Sequence, residues 1–291
     1  RTLDELYLVS LADMANVSPE YLTSWKLTLL DELYLRTAAE FASSRRRETV
    51  ARRPRDDEPE GLPARYYSLF DQDLRREHRR LLDTLRQASG DRSVIVDAAE
   101  GSGALRLTVV TDDRRGLLAI LTSCMADTGL EVMAADVFSV PMARRIALDV
   151  FRVVPRDTGA GLGRPSDWAD RLEHALTRAV AAAPSAEELA EVMPPLPGRR
   201  RSGARRATTK VRFSEDPAGC RTIVDVETIE NPGVAARISR SFAALDLDIE
   251  IARINTEMRR VDAVFYVSKL DEKQRAELSK LIRANLRTGR R

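Results

Sequence analysis

The sequence predicts an α+β fold: an N-terminal helical segment, then two copies of a strand–helix–strand–strand–helix unit. Three observations predict it. The apolar spacing is helical as far as Leu85 and changes to strand alternation from Ala104. The same order of elements returns after residue 207. The two runs also superpose at one offset when Gly116 is set against Gly233.

Residues 1–45 read as helical. Leu3, Leu6, Tyr7, Val9 and Met14 keep helical spacing, and after Ser18-Pro19 a second helix reads Tyr21-Leu22, Trp25, Leu29-Leu30 and Leu33-Tyr34. Two such helices cannot bury their apolar faces alone. The chain opens at Arg1 inside this pattern, which reads as the C-terminal portion of a longer protein. Residues 46–62 mix arginines (Arg46, Arg47, Arg52, Arg53 and Arg55, just after Arg45) with Asp56, Asp57, Glu58 and Glu60, a solvated linker. Residues 63–103 are expected to be a helical connector, running from Pro63 through Tyr66-Tyr67, Phe70 and His78 to Leu85.

The first unit spans 104–183. Ala104–Val110 alternates as a strand, and Asp113-Arg114-Arg115-Gly116 makes a turn. Leu117–Met125 is a helix that stops at Gly129. Leu130–Val140 and Ile146–Val154 are strands, and 166–182 is a helix after the glycine-rich loop 159–163. Residues 184–207 form a Pro- and Arg-rich linker. The second unit spans 208–291, with a strand at 221–229, the turn Glu230-Asn231-Pro232-Gly233, a helix at 234–245, strands at 247–256 and 261–267, and a helix at 270–286. Each unit has room for one more strand near its second helix, which would complete a ferredoxin-like βαββαβ unit.

Composition sets outer bounds. A length of 291 residues suits about two domains. Lys and Arg total 47 against 45 Asp and Glu, a net charge of +2 that argues against a nucleic-acid partner, since counterion release needs concentrated positive charge. No apolar run approaches the about 18–20 residues of a membrane span, so no membrane partner is expected. The only cysteines, Cys124 and Cys220, form no disulfide framework and point to a reducing, cytoplasmic setting.

The turns carry the functional signal. In each unit a strand ends at a glycine that lets backbone approach closely, and a helix begins there with free N–H groups and partial positive charge. A carboxylate can dock on such a tip, and a nearby acid (Asp113, Glu230) or Asn231 can pair with an ammonium or amide. Together these suit a free amino acid. The other reading is an ordinary strand-to-helix turn whose glycine serves geometry alone. The candidate ligand-binding residues are Asp113, Arg114, Arg115, Gly116 and Leu117 in one unit and Glu230, Asn231, Pro232, Gly233 and Val234 in the other.

Both units resemble ACT domains, small regulatory modules that bind amino acids. Glu230-Asn231-Pro232-Gly233 stands where that family usually has Asp-Arg-Pro-Gly, and Leu245–Ile249 where it has a Leu-Gly-Leu-Asn-Ile type of segment. The first unit keeps Asp113-Arg114 and Gly116 but has Arg115 in place of Pro. Upstream, Leu6–Asp13, Ser24-Trp25-Lys26 and Leu29–Tyr34 resemble the end of an HD domain, and Pro63-Ala64-Arg65-Tyr66-Tyr67 resembles the short motif that follows it in bifunctional PII uridylyltransferase/uridylyl-removing enzymes. That order of motifs spans essentially the whole chain.

The resemblance implies the regulatory C-terminal portion of such an enzyme, with the ACT pair sensing glutamine or another small amino acid, PII as the partner of the full-length protein, and an ACT-mediated homodimer as one arrangement. It implies a divalent metal, Mg or Mn, for the full-length enzyme, with Asp13 as a residual HD-domain ligand, and no cofactor in this chain. One carboxylate cannot hold a catalytic metal. His78 and His174 lie in different regions, and the Ser and Cys residues lack a plausible base, so the chain is expected to be catalytically silent alone. Two rivals remain open: a stand-alone ACT-type binding protein, and a partial HD-type phosphohydrolase completed by residues elsewhere.

Overall fold

A computed structural model of the chain describes residues 2–17, 30, 33–34, 37, 58–88, 94–101, 104–141, 144–156, 164–182, 196, 209–216, 220–257 and 260–287. The Ser18-Pro19 cap, most of the expected second helix, the arginines from Arg45 to Arg55, the loop 159–163 and nearly all of the linker 184–207 lie outside the described residues. The chain divides into two compact units, residues 1–79 and 80–291.

In the first unit, α1 spans Thr2–Val17. Leu30, Leu33, Tyr34 and Thr37 are helical, and the Tyr34 hydroxyl donates to Asp4 at 2.7 Å. The single helical stretch expected from Pro63 to Leu85 is two helices, α2 (Ala64–Leu69) and α3 (Gln72–Gln87), and the boundary between the units falls within α3. Phe70 is extended between them, and Asp71 caps the new helix by accepting from the Leu74 amide at 2.9 Å. The Pro-x-Arg-Tyr motif is an anchor. Tyr66 is fully buried, its hydroxyl lies 2.8 Å from His78 Nδ1, and Phe70 packs edge-on against both rings.

The second unit holds one eight-stranded antiparallel sheet in the order β1-β2-β4-β3-β7-β8-β6-β5. The strands are β1 (Val94–Gly101), β2 (Ala104–Asp112), β3 (Leu130–Val140), β4 (Ile146–Pro155), β5 (Lys210–Glu215), β6 (Arg221–Ile229), β7 (Ile249–Glu257) and β8 (Arg260–Ser268). The helices are α4 (Leu117–Asp127), α5 (Pro165–Ala182), α6 (Val234–Ala243) and α7 (Glu272–Arg287). This is an α+β fold of two ferredoxin-like halves. The extra strand of each half comes before the strand–helix unit: β1 pairs with β2, and β5 with β6. Residues 94–101, expected within a helical connector, are therefore strand. Val94, Ile95 and Val96 are buried there, and the Val96 amide on the outer side donates to Glu173 of α5 at 3.0 Å, which covers the sheet edge.

The repeat is real down to its irregularities. β2 and β6 begin and end at the same offset as Gly116 and Gly233. β3 and β7 carry a register shift at the same repeat position, between Val132 and Ala134 in one and Ile249 and Ile251 in the other. The halves join edge to edge where β3 pairs with β7 through Ala134–Asn255, Ala135–Ile254 and Asp136–Arg253. Helices α4 and α6 pack across that junction. One apolar core continues through both halves, with Leu105, Leu107, Leu121, Met125, Phe151, Ile238, Phe242 and Phe265 almost wholly buried. Burial on β6 alternates cleanly, while β2 is buried on both faces, Val110 as completely as Val109.

Candidate functional site

Gly116 and Gly233 hold equivalent places. Each is the residue before its helix, at φ 75° and φ 66°, left-handed values that a side chain strains to reach. The expected strand–glycine–helix turn is present in both halves.

In the first half the turn's side chains are held by partners. Asp113 accepts from Ser139 Oγ and pairs with Arg145 at 2.9 Å. Arg145 also reaches Asp248 of the second half at 3.4 Å. Burial opposes the charge on Arg145, but Asp113 and Asp248 together hold its guanidinium above the ordinary value. Arg114 donates to the Val180 carbonyl at the end of α5 at 3.0 Å, and burial lowers its pKa. Arg115 is exposed and pairs with Asp246 of the second half at 2.6 Å.

Below this turn lies a partly open cavity shared by the two halves. From the first half it is lined by Asp113, Arg114, Gly116, Leu117, Leu118, Ala119, Val137, Phe138, Ser139, Ala147 and Asp149. From the second half come Ser239, Ala243 and the entry to β7, Leu247–Glu250. Four of the five turn residues singled out from sequence line it; Arg115 does not.

Asp149 is the residue sequence reasoning missed. It is 1% exposed, on the strand face that also carries Ala147, Phe151 and Val153. Its Oδ1 accepts from the Phe138 amide at 3.4 Å. Burial pushes its carboxyl well above the ordinary carboxylate range, and the nearby charge of Asp113 adds to this. Aligning Val150-Phe151 with Val264-Phe265 places Ala263 at the equivalent position, so only the first half has this acid. The signal was legible: a charged residue on the inward face of an apolar strand needs a reason.

The second turn is closed. The Gly233 amide donates to Glu131 Oε2 of the first half at 2.9 Å. Asn231 is buried, with Nδ2 3.4 Å from the Ile229 carbonyl, and its own carbonyl accepts from the Val234 amide at 3.0 Å. The Pro232 carbonyl accepts from Arg237 Nε at 3.2 Å, and Glu230 is exposed. None of Glu230, Asn231, Pro232, Gly233 and Val234 lines the cavity at Gly116.

Asp13 is exposed on α1. Among the described residues no group of three or more His, Cys, Asp or Glu side chains could hold a metal ion. His78 is committed to the Tyr66 cluster, and His174 is exposed on α5. Burial pushes the Cys124 thiol up to about 11, which makes it unreactive. No described helix is long and apolar enough to cross a membrane.

No protein-family model matches the chain. Curated relatives named bifunctional uridylyltransferase/uridylyl-removing enzyme match nearly all of it, along a C-terminal part of each relative. The protein from Caulobacter vibrioides is 29% identical over 286 aligned residues, which is 90% of this chain and 29% of that protein. The one from Xanthomonas oryzae pv. oryzae is 29% identical over 98% of this chain and 34% of its own length. The one from Gluconobacter oxydans is 24% identical over 91% and 30%. The chain thus spans about a third of the length of the curated relatives it matches. Among solved structures, aspartate kinase from Synechocystis gives a TM-score of 0.37 at 19% identity, covering 64% of this chain and 27% of that one, a likeness too distant to carry fold or function across.

Proposed function

We propose that this chain is the regulatory C-terminal portion of a cytoplasmic PII uridylyltransferase/uridylyl-removing enzyme, and that it senses glutamine in the cavity beside Gly116 to control PII uridylylation in nitrogen regulation. The named relatives support the family side of this reading. The observation that carries the sensing side is the cavity itself. It sets a helix tip, which favours a carboxylate, against a buried acid, Asp149, which favours an ammonium. A free α-amino acid brings both charges, and its ammonium offsets the desolvation that Asp149 suffers alone.

The cavity walls come from both halves, so a ligand there touches Gly116 and Asp149 on one side and Leu247–Glu250 on the other. The ligand then biases how the halves sit against each other. By linkage it shifts the enzyme toward its hydrolytic state only as far as it binds that state more tightly, about 1.4 kcal/mol for a tenfold shift. PII is the partner of the whole enzyme in this reading, and glutamine the partner of this part.

Calorimetry on the folded chain at two temperatures tests it, with glutamine beside 2-oxoglutarate, which lacks the ammonium. Glutamine is expected to bind and the keto acid to fail. No heat from millimolar glutamine at either temperature overturns the reading.

A further inference from the structure

The two helix tips are chemically equivalent and differently filled. At the second tip Glu131 holds the Gly233 amide at 2.9 Å through Oε2, while its Oε1 takes Arg156 Nε at 2.8 Å. Arg156 is itself fixed: its side chain donates to the Ala126 carbonyl at 2.7 Å and its amide to the Gly129 carbonyl at 2.8 Å. Both carboxylate oxygens are therefore engaged, and the side chain is only 17% exposed. The repeat offset places Asp248 at the position equivalent to Glu131. Asp248 is one methylene shorter and lines the Gly116 cavity, and its Oδ2 faces Arg145 at 3.4 Å.

We propose that Glu131 is a built-in ligand: its carboxylate fills, at the Gly233 tip, the place that a free amino acid's carboxylate takes at the Gly116 tip. The Gly116 half of this statement rests on the amino-acid reading above. A helix N-terminus alone would not justify it; here a carboxylate is observed in place, on the tip amide, carried there from the other half of the repeat. The Glu131–Gly233 bond also holds the geometry of the second turn, whose residues do not line the Gly116 cavity. Glu131 decides which tip is left for a ligand, and the ligand class that fits a vacated second tip is a small carboxylate.

Removing the side chain should leave a carboxylate-shaped vacancy beside Arg156. Glu131→Ala is expected to lower the melting midpoint by roughly 2–8 °C. Acetate, compared with chloride at equal ionic strength, should restore part of that loss in the variant and leave the wild type unmoved. A variant that melts with the wild type, or responds alike to acetate and chloride, overturns the proposal. If Glu131→Ala does not fold, Glu131→Gln keeps the shape and loses the charge. Its Gly233 amide should then exchange hydrogen about tenfold faster than in the wild type, and unchanged exchange is equally contrary. A wild-type chain that takes up no glutamine would sink the Gly116 reading alone, because the acetate result still decides the role of Glu131.

Discussion

Ser123 and Arg240 occupy the same position of the repeated unit, and they touch: Arg240 Nε donates to Ser123 Oγ at 2.9 Å. Together with antiparallel pairing of equivalent strands, such a contact marks a two-fold axis passing between the halves. Asp136 and Arg253, also equivalent, face each other across β3 and β7. Helix layer and sheet layer thus share one internal axis that relates the two halves of the repeat. At this junction burial depresses the pKa of Arg240, with Arg237 adding repulsion.

Arg240→Ala is expected to cost about 1–3 kcal/mol in urea unfolding, because it strips a charged donor from the buried Ser123 hydroxyl. A double-mutant cycle with Ser123→Ala should show a coupling of about 0.5 kcal/mol or more. Additive effects would place the two residues on separate supports.

The contrast is the Arg115–Asp246 pair. It also ties the halves together and is shorter, at 2.6 Å, but both side chains are more than half exposed. Solvent screening limits such a pair to about 0.2–1 kcal/mol. Its coupling energy should fall within that range at low salt and shrink as salt is added. A salt-independent coupling larger than the Arg240–Ser123 term would reverse the ranking.

Asp149 should leave a mark on the pH dependence of stability. Its pKa is raised in the folded state, chiefly by burial. Above about pH 4, where an unfolded aspartate ionises, the folded chain keeps a proton that the unfolded chain has released. Stability therefore falls as pH rises through that window, until the folded-state pKa is passed. Asp149→Asn removes this contribution. The variant's stability relative to wild type should rise from about pH 4 upward, and a flat difference across the acid and neutral range would contradict it.

The glycines before α4 and α6 should resist side chains. Gly116→Ala and Gly233→Ala each force a left-handed residue to carry a Cβ, at about 1–2 kcal/mol. Gly129, φ 88°, is the control for strain alone, since a Cβ there meets nothing within 4 Å. Denaturation midpoints compare the three, and a neutral substitution at Gly116 or Gly233 would mean that the turn relaxes freely.

The fold was legible where local pattern and packing agree. β3 and β6 lie where strand alternation put them, and α4 stops just before Gly129. β1 was hidden because its apolar start, Val94–Val96, runs into Asp97-Ala98-Ala99-Glu100, a stretch without strand alternation that gains its place by pairing with β2. The break at Phe70 depends on one cap, Asp71, inside a run of helix formers. At the site, the two glycines could be read from sequence because only backbone geometry was asked of them. Glu131 could not, because its role depends on reaching a turn 102 residues away in the other half. Asp149 could have been found from its inward position in an apolar strand.

The most direct test is to label glycine amides with ¹⁵N and titrate the folded chain with glutamine. The account predicts that the Gly116 signal moves in a saturable way while Gly233, already bound to Glu131, stays in place. A shift at Gly233 without one at Gly116, or no shift at either, contradicts it.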